Sequence, residues 1–264
     1  MLAVVRGAGD LASAIALRLV RSGFSVVMTE VEQPLTVRRT VAFSEAVRLG
    51  EVQVEGVVAR RAADVSHVTQ LLEQGIVPVL VDPSASCVSL KPDVVVDAIL
   101  AKRNLGTTQD MAPVVIGVGP GFTAGKDCHA VVETMRGHTL GRVYYEGSAL
   151  PNTAIPGLVG GFAGERVLRA PADGVFQGFA EIGDLVKEGQ VVAQVDGVPV
   201  YAMLTGVLRG LMADGVLVSK GLKCGDVDPR ADVSYCHLVS DKGLAVAGGV
   251  LEAILHVSGM IETR

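Results

Sequence analysis

Residues 170 to 228 repeat themselves at a shift of 32. Gly174, Gly178, Gly183 and Gly189 recur as Gly206, Gly210, Gly215 and Gly221, while Val175, Leu185 and Val186 recur as Val207, Leu217 and Val218. The repeated unit reads as an apolar strand, a glycine turn and then Gly183-Asp184-Leu185-Val186-Lys187-Glu188-Gly189 or its partner Gly215-Val216-Leu217-Val218-Ser219-Lys220-Gly221. Glycines at fixed offsets mark corners where the backbone takes positive φ. Two copies are too few for a solenoid, whose repeats stabilise one another by stacking. The pattern therefore predicts a single small β body built from two interlocked halves.

With Ala170-Pro171-Ala172-Asp173-Gly174 ahead of it, the unit resembles the barrel-sandwich hybrid of biotinyl and lipoyl carrier domains. Carriers present a lysine on the hairpin between the halves, whereas Val195-Asp196-Gly197-Val198 stands there in this chain. No covalent biotin or lipoate is expected, and the module reads as a scaffold, docking surface or ligand shelf.

The amino-terminal half alternates strand and helix signals. Leu2 to Val5 and Ser25 to Glu30 read as strands, with Leu11 to Arg21 at helical spacing between them; Val57, Ile76 to Val81, Val94 to Ala98 and Val114 to Val118 mark later strands. Such alternation predicts an α/β fold with a parallel sheet. Gly7-Ala8-Gly9-Asp10-Leu11-Ala12 forms a G-x-G-x-x-A turn, and Glu30 ends the next strand about 20 residues on, the place of a ribose-binding acid. Gly7, Gly9, Asp10 and Glu30 are thus candidates for a nucleotide-type site; otherwise the glycines serve only close strand-to-helix packing.

A second loop, Gly117-Val118-Gly119-Pro120-Gly121-Phe122-Thr123-Ala124-Gly125-Lys126-Asp127, lacks the spacing of a phosphate-binding P-loop. Its backbone amides still suit an anion, with Gly119, Gly121 and Lys126 as candidates beside the first turn. Arg38, in Val37-Arg38-Arg39-Thr40, offers a bidentate fork for phosphate, or else begins a solvated helix. Cys128-His129 and Cys236-His237 cannot chelate through neighbouring side chains on a strand, and no metal is expected. Cys87, in Ser84-Ala85-Ser86-Cys87, reads as the best candidate for an exposed thiol.

The chain has 264 residues and a formal charge of −5, and it shows no basic run for nucleic acid. No membrane span, signal peptide or paired cysteine motif is read, so a reduced cytoplasmic protein is expected. The expected architecture is a Rossmann-like parallel sheet domain over 1–163, a barrel-sandwich hybrid module over 164–230, and a carboxyl-terminal segment over 231–264 whose helix, within Lys242 to His256, packs back on the first domain.

Several segments together resemble the YqeB family: Val94 through Asn104, Ala112 through Gly117 with the Gly119 to Gly125 loop, Lys223-Cys224-Gly225-Asp226-Val227-Asp228-Pro229-Arg230, and Gly248 through Leu255. The likeness runs nearly end to end. It implies a role in maturation of selenium-dependent molybdenum hydroxylases, enzymes related to xanthine dehydrogenase, and a nucleotide-fold half like that of XdhC-type chaperones. It also implies a molybdopterin-type cofactor or dinucleotide as ligand and a hydroxylase client as partner. The family supplies no settled catalytic residues. An NAD(P)-dependent oxidoreductase, with His129 or Lys126 as proton donor, and a non-catalytic docking scaffold are the other classes that fit. A symmetric homo-oligomer is the expectation from general frequency.

Overall fold

The computed structural model describes residues 1–153 and 155–260. The chain divides into two compact units. One comprises Met1–Pro34, Phe43–Thr153 and Val239–Arg264, the other Leu35–Ala42 and Ala154–Leu238.

The first unit begins with β1 (Leu2–Arg6), α1 (Asp10–Arg21) and β2 (Ser25–Glu30), followed by α2 (Glu45–Leu49), β3 (Glu51–Val54), β4 (Val57–Ala62), α3 (Val65–Glu73) and β5 (Val77–Val81). It continues through β6 (Val94–Asp97), β7 (Val114–Val118), β8 (Ala130–Val132) and β9 (Val143–Tyr144). These form one nine-stranded sheet in the order β3-β4-β5-β2-β1-β6-β7-β8-β9. The central strands are valine-rich because both their faces are covered: Ala3 to Arg6, Val26 to Thr29, Val94 to Asp97 and Val114 to Val118 are all buried. From β4 to β8 neighbouring strands run parallel. At the two edges β3 pairs antiparallel with β4, and β9 with β8. The β3–β4 hairpin turns on Glu55 and Gly56, both at positive φ, as a two-residue turn between right-twisted strands demands.

The second unit holds β10 (Val167–Arg169), β11 (Gly174–Gly178), β12 (Leu185–Val186), β13 (Val191–Val195), β14 (Val198–Tyr201), β15 (Gly206–Leu211), β16 (Leu217–Val218) and β17 (Lys223–Asp228). They build two four-stranded antiparallel sheets, β10-β17-β15-β12 and β14-β13-β11-β16. Strands of the two sequence copies exchange partners: β11 of the first pairs with β16 of the second, and β12 with β15. Phe176, Val186, Val192, Val195, Leu208 and Val227 share the core between the sheets. A buried ion network fastens one of them. Asp226 accepts from Arg166 at 2.9 Å and from Arg209 at 2.5 and 2.8 Å, and Arg209 also reaches Asp228 at 2.9 Å.

The structure corrects the expected fold class. The large sheet is mixed, not a parallel Rossmann-like sheet, because hairpins close both its edges. Its β6–β7 and β7–β8 crossovers contain no α-helix. The β region is not a self-contained barrel-sandwich module over 164–230 either. It takes in the distant segment 35–42, where Leu211 N–H donates to Val37 O at 2.9 Å and Arg39 Nε to Leu211 O at 2.7 Å, and it adds β10 outside the repeat. Gly210 tolerates no side chain, since a Cβ there would lie 2.9 Å from Val37.

In the first unit α4 (Asp241–Val257), capped by the Ser240 side chain accepting from Gly243 N–H, packs on α1 and on β7 to β9. Small residues permit the close approach: a Cβ on Gly243 would stand 2.9 Å from that of Ala14.

Candidate functional site

In an open sheet the ligand crevice lies beyond the carboxyl ends of the strands, at the point where the strand order reverses. Here the chain leaves β1 toward β2 on one side and returns to β6 on the other, so the reversal falls between β1 and β6. Gly7 follows β1 at φ +95°, and a Cβ on it would meet Ala98 O at 3.0 Å and Ile99 Cα at 3.1 Å. Only glycine lets the turn pass this closely under the loop after β6. Gly9 is the N-cap of α1 and supplies no side-chain cap, which leaves the first-turn amides to other acceptors. Asp10 places a carboxylate in that first turn, where the helix dipole favours negative charge.

Glu30 comes to the same turn from the end of β2. Its Oε2 accepts from Ala8 N–H at 3.0 Å and its Oε1 from Val31 N–H at 2.8 Å. Burial pushes its pKa above the ordinary glutamate value, against the pull of these two amides. Each oxygen retains a lone pair for another donor. Val81 of β5, level with Glu30, lines a cavity of about 210 Å³ together with Arg61, Ala62, Asp64, Val65, Leu80, Asp82 and Ser86.

Behind the turn lies a buried polar cluster that sequence reasoning missed. Arg6 ends β1, Asp97 ends β6, and each is 1% exposed. The Asp97 carboxylate accepts from Thr107 Oγ1 at 2.6 Å, from Arg6 at 3.4 Å and from Ile99 N–H at 3.2 Å. Arg6 also donates to Thr107 Oγ1 and to the carbonyls of Pro83 and Leu105, while its Nε is buried with no hydrogen-bond partner. The Asn104 side chain clasps Thr107 through two 2.7 Å bonds. Together these groups fix a loop over 98–107 on the crevice. An arginine closing a valine strand, facing an aspartate closing another, was the available signal.

The remaining sequence candidates scatter. Gly119 and Gly121 stay at the carboxyl edge: a Cβ on Gly119 would lie 3.0 Å from Thr134 Oγ1, and one on Gly121 would lie 2.6 Å from Arg103 Cα. Lys126 does not stay there. Ala124 bridges Cys128, and β8 starts level with Ile116, so the crossover has carried Lys126 toward the amino edge of the sheet before β8 begins. His129 goes with it, and its Nδ1 accepts from Val115 N–H at 2.9 Å. Neither is placed to protonate a ligand at the crevice. Arg38 belongs to the second unit, where it is 7% exposed and donates to Tyr235 O at 2.7 Å and Leu238 O at 3.0 Å. Cys87 is fully buried rather than exposed, and burial, with Asp82 nearby, pushes its thiol up to about 12. Among the described residues no group of three or more His, Cys, Asp or Glu is arranged to hold a metal ion, and no helix is long and apolar enough to cross a membrane.

No family model matches the chain. Solved structures similar to it include an aspartoacylase family protein of Mesorhizobium loti, at 12% identity and a TM-score of 0.28 with 86% of this chain and 84% of that one covered. A succinylglutamate desuccinylase of a Silicibacter species follows at 11% and 0.25, with the same coverages. A succinylglutamate desuccinylase/aspartoacylase of Rhodobacter sphaeroides shows 14% and 0.27, covering 88% and 86%. The expected maturation role is withdrawn together with the expected fold, which the mixed sheet overturns. In sequence, the chain is 55% identical over 255 residues to the Escherichia coli K12 protein named "Uncharacterized protein YqeB", a match covering 96% of this chain and 47% of that protein. The chain belongs to the YqeB family and spans about half the length of this relative.

Proposed function

We propose that the first unit binds a ribonucleotide or dinucleotide, with the ribose hydroxyls on Glu30, the diphosphate beside the Gly7 to Asp10 turn, and the base in the cavity next to β5. The observation that carries this reading is the position of the Glu30 carboxylate. Its oxygens accept from the turn's Ala8 amide and from Val31 N–H with acceptor capacity to spare, and the Glu30 backbone is level with Val81, which lines the cavity. A vicinal diol offers two donors at the spacing a carboxylate accepts. Leu80, Val81, Ala62 and Val65 give the cavity apolar walls, and Asp64, Asp82 and Ser86 give it polar ones, the mixture that suits a heterocyclic base. Gly9 puts no side chain at the start of α1 in the path of the diphosphate, and Gly7 lets the loop after β6 close against the turn.

Isothermal titration of the whole protein with ADP-ribose and with its 2′,3′-dideoxy analogue tests the assignment. Loss of a buried hydrogen bond to a charged group costs about 1.5–3 kcal/mol, so Glu30→Ala and the dideoxy analogue should each weaken binding by roughly tenfold or more. Gly9→Val should abolish it by occupying the approach of the diphosphate. A wild-type protein that binds no nucleotide, or a Glu30→Ala variant that binds as wild type does, overturns the reading.

A further inference from the structure

The crevice has a charge problem. Asp10 and Glu30 both carry carboxylates to the turn where a diphosphate would lie, and the chain as a whole is at −5. Asp10 already answers the positive end of α1. Lys126 has crossed toward the amino edge of the sheet, and Arg38 donates to the carbonyls of Tyr235 and Leu238. Arg61 at the cavity is paired with Glu32 and Val47 O, and the Arg6 guanidinium is turned to Asp97, Thr107 and two carbonyls. Cations must come from another segment if an anion is to be held.

The loop over 98–107 supplies them. It carries Lys102 and Arg103, both exposed and neither in an ion pair among the described residues. Its position is fixed from three sides. Ala98 and Ile99 lie against Gly7 of the first turn, Leu100 lies against Gly119, and the Arg103 backbone lies against Gly121. The two glycine loops therefore flank this one segment, and both lose side chains to make room for it. Its far end is pinned by the Asp97, Thr107 and Asn104 bonds. Leu100 at φ +60° and Lys102 itself at φ +62° hold the left-handed conformation that side-chain-bearing residues avoid. Such backbone persists only where the surroundings over-determine it, and it gathers at ligand clamps.

We propose that Lys102 and Arg103 form the anion-holding side of the crevice and recognise the diphosphate of the ligand, on a loop prebuilt by Arg6, Asp97 and Thr107. This rests on the nucleotide reading above and adds the residues that decide for phosphorylated over unphosphorylated ligands. The pairing suits a diphosphate: an arginine fork takes two oxygens in a plane, and a lysine adds a compact charge.

The test is titration of the whole protein with adenosine, ADP and inorganic pyrophosphate, comparing wild type with the Lys102→Gln/Arg103→Gln double variant at two salt concentrations. The proposal expects ADP and pyrophosphate to weaken in the double variant by on the order of tenfold to a hundredfold. Adenosine should bind unchanged, and the salt dependence of ADP binding should flatten, because the screened contacts are gone. Pyrophosphate bound by wild type and lost in the double variant, with adenosine bound by neither, would sustain the loop as an anion site while ending the nucleotide reading. Undiminished ADP and pyrophosphate binding in the double variant overturns the proposal and leaves the nucleotide reading standing. So does an equal fall for adenosine and ADP, which would mean that the loop acts through shape. Wild type that binds neither ADP nor pyrophosphate ends both. A Lys102→Arg/Arg103→Lys variant, which keeps both charges, should restore most of the pyrophosphate affinity, and failure to do so while the fold melts normally counts against the charge role.

Discussion

Replacing Asp226 by Ala should be among the most damaging single changes in the second unit. The Asp226 carboxylate is 1% exposed and receives Arg166 at 2.9 Å, Arg209 at 2.5 and 2.8 Å, and Lys223 at 3.7 Å. Burial pushes this carboxyl up, but Lys223, Arg209 and Arg166 outweigh it and hold it below the usual aspartate value. Without it, among the described residues Arg166 keeps only Gly157 O while its Nε is already unsatisfied, and Arg209 keeps only Asp228. Breaking a buried ion pair from one side costs roughly 3–5 kcal/mol, far more than the pair itself contributes, because the partner's charge stays buried. For a unit of this size about 1 kcal/mol moves the midpoint by roughly 4–8 °C, so the thermal transition of the second unit should fall by well over 10 °C. Circular dichroism melts of wild type and Asp226→Ala measure this. The pH dependence gives a second reading. A carboxyl held low in the folded state stabilises fully above its unfolded pKa of about 3.9, and that contribution disappears as pH falls through the lower folded value. The gap between wild type and variant should therefore be constant at neutral pH and close only in strong acid. A loss under about 1 kcal/mol would place these groups with solvated surface pairs and refute the reasoning.

Gly121→Ala should destabilise by roughly 1–3 kcal/mol, since φ +112° strains any side chain and the new Cβ would lie 2.6 Å from Arg103 Cα; equal urea midpoints for wild type and variant would contradict the packing of the 98–107 loop. Thr107→Val removes the hydroxyl shared by Asp97 and Arg6 at nearly constant shape and should cost about 1–3 kcal/mol by the same assay, with Thr107→Ser retaining most of the stability. Native protein should resist an aromatic disulfide reagent at pH 8, because all four cysteines are buried and the thiols of Cys87, Cys128 and Cys224 are pushed up to about 12, 11 and 11; rapid release of even one equivalent before denaturant is added would show a thiol misplaced.

What could be read beforehand follows from the range of the forces involved. The meeting of Glu30 with the first glycine turn depends on strand, turn and helix adjacent in sequence, and the spacing alone locates it. The Asp196-Gly197 hairpin is local in the same way, and so is Glu55-Gly56, whose turn signal passed unread and with it the antiparallel edge of the sheet. Arg38 was out of reach because its partners, Tyr235 and Leu238, are about 200 positions away, and nothing nearby distinguishes a buried arginine from a solvated one. Lys126 follows a glycine loop at the right edge of the sheet, but only the register of β7 on β8 reveals that the chain has crossed to the other edge. Cys87 looks polar in its sequence setting, yet it is buried beneath its own amide bond to Asp82.

The exchange of partners in the second unit carries a consequence for how it arises. Neither copy of the repeat closes a sheet from its own strands: β11 needs β16, and β12 needs β15. A chain bearing one copy would find those partners only on a second molecule, as a twofold dimer whose assembly depends on concentration. Joining the copies in one polypeptide converts that encounter into an intramolecular one at the high effective concentration of a short tether. Symmetry then ceases to be obligatory, and the positions have diverged accordingly. Leu185 and Leu217 remain equally open, at 67% and 69%, whereas Val175 is 46% exposed and its counterpart Val207 is sealed at 0%.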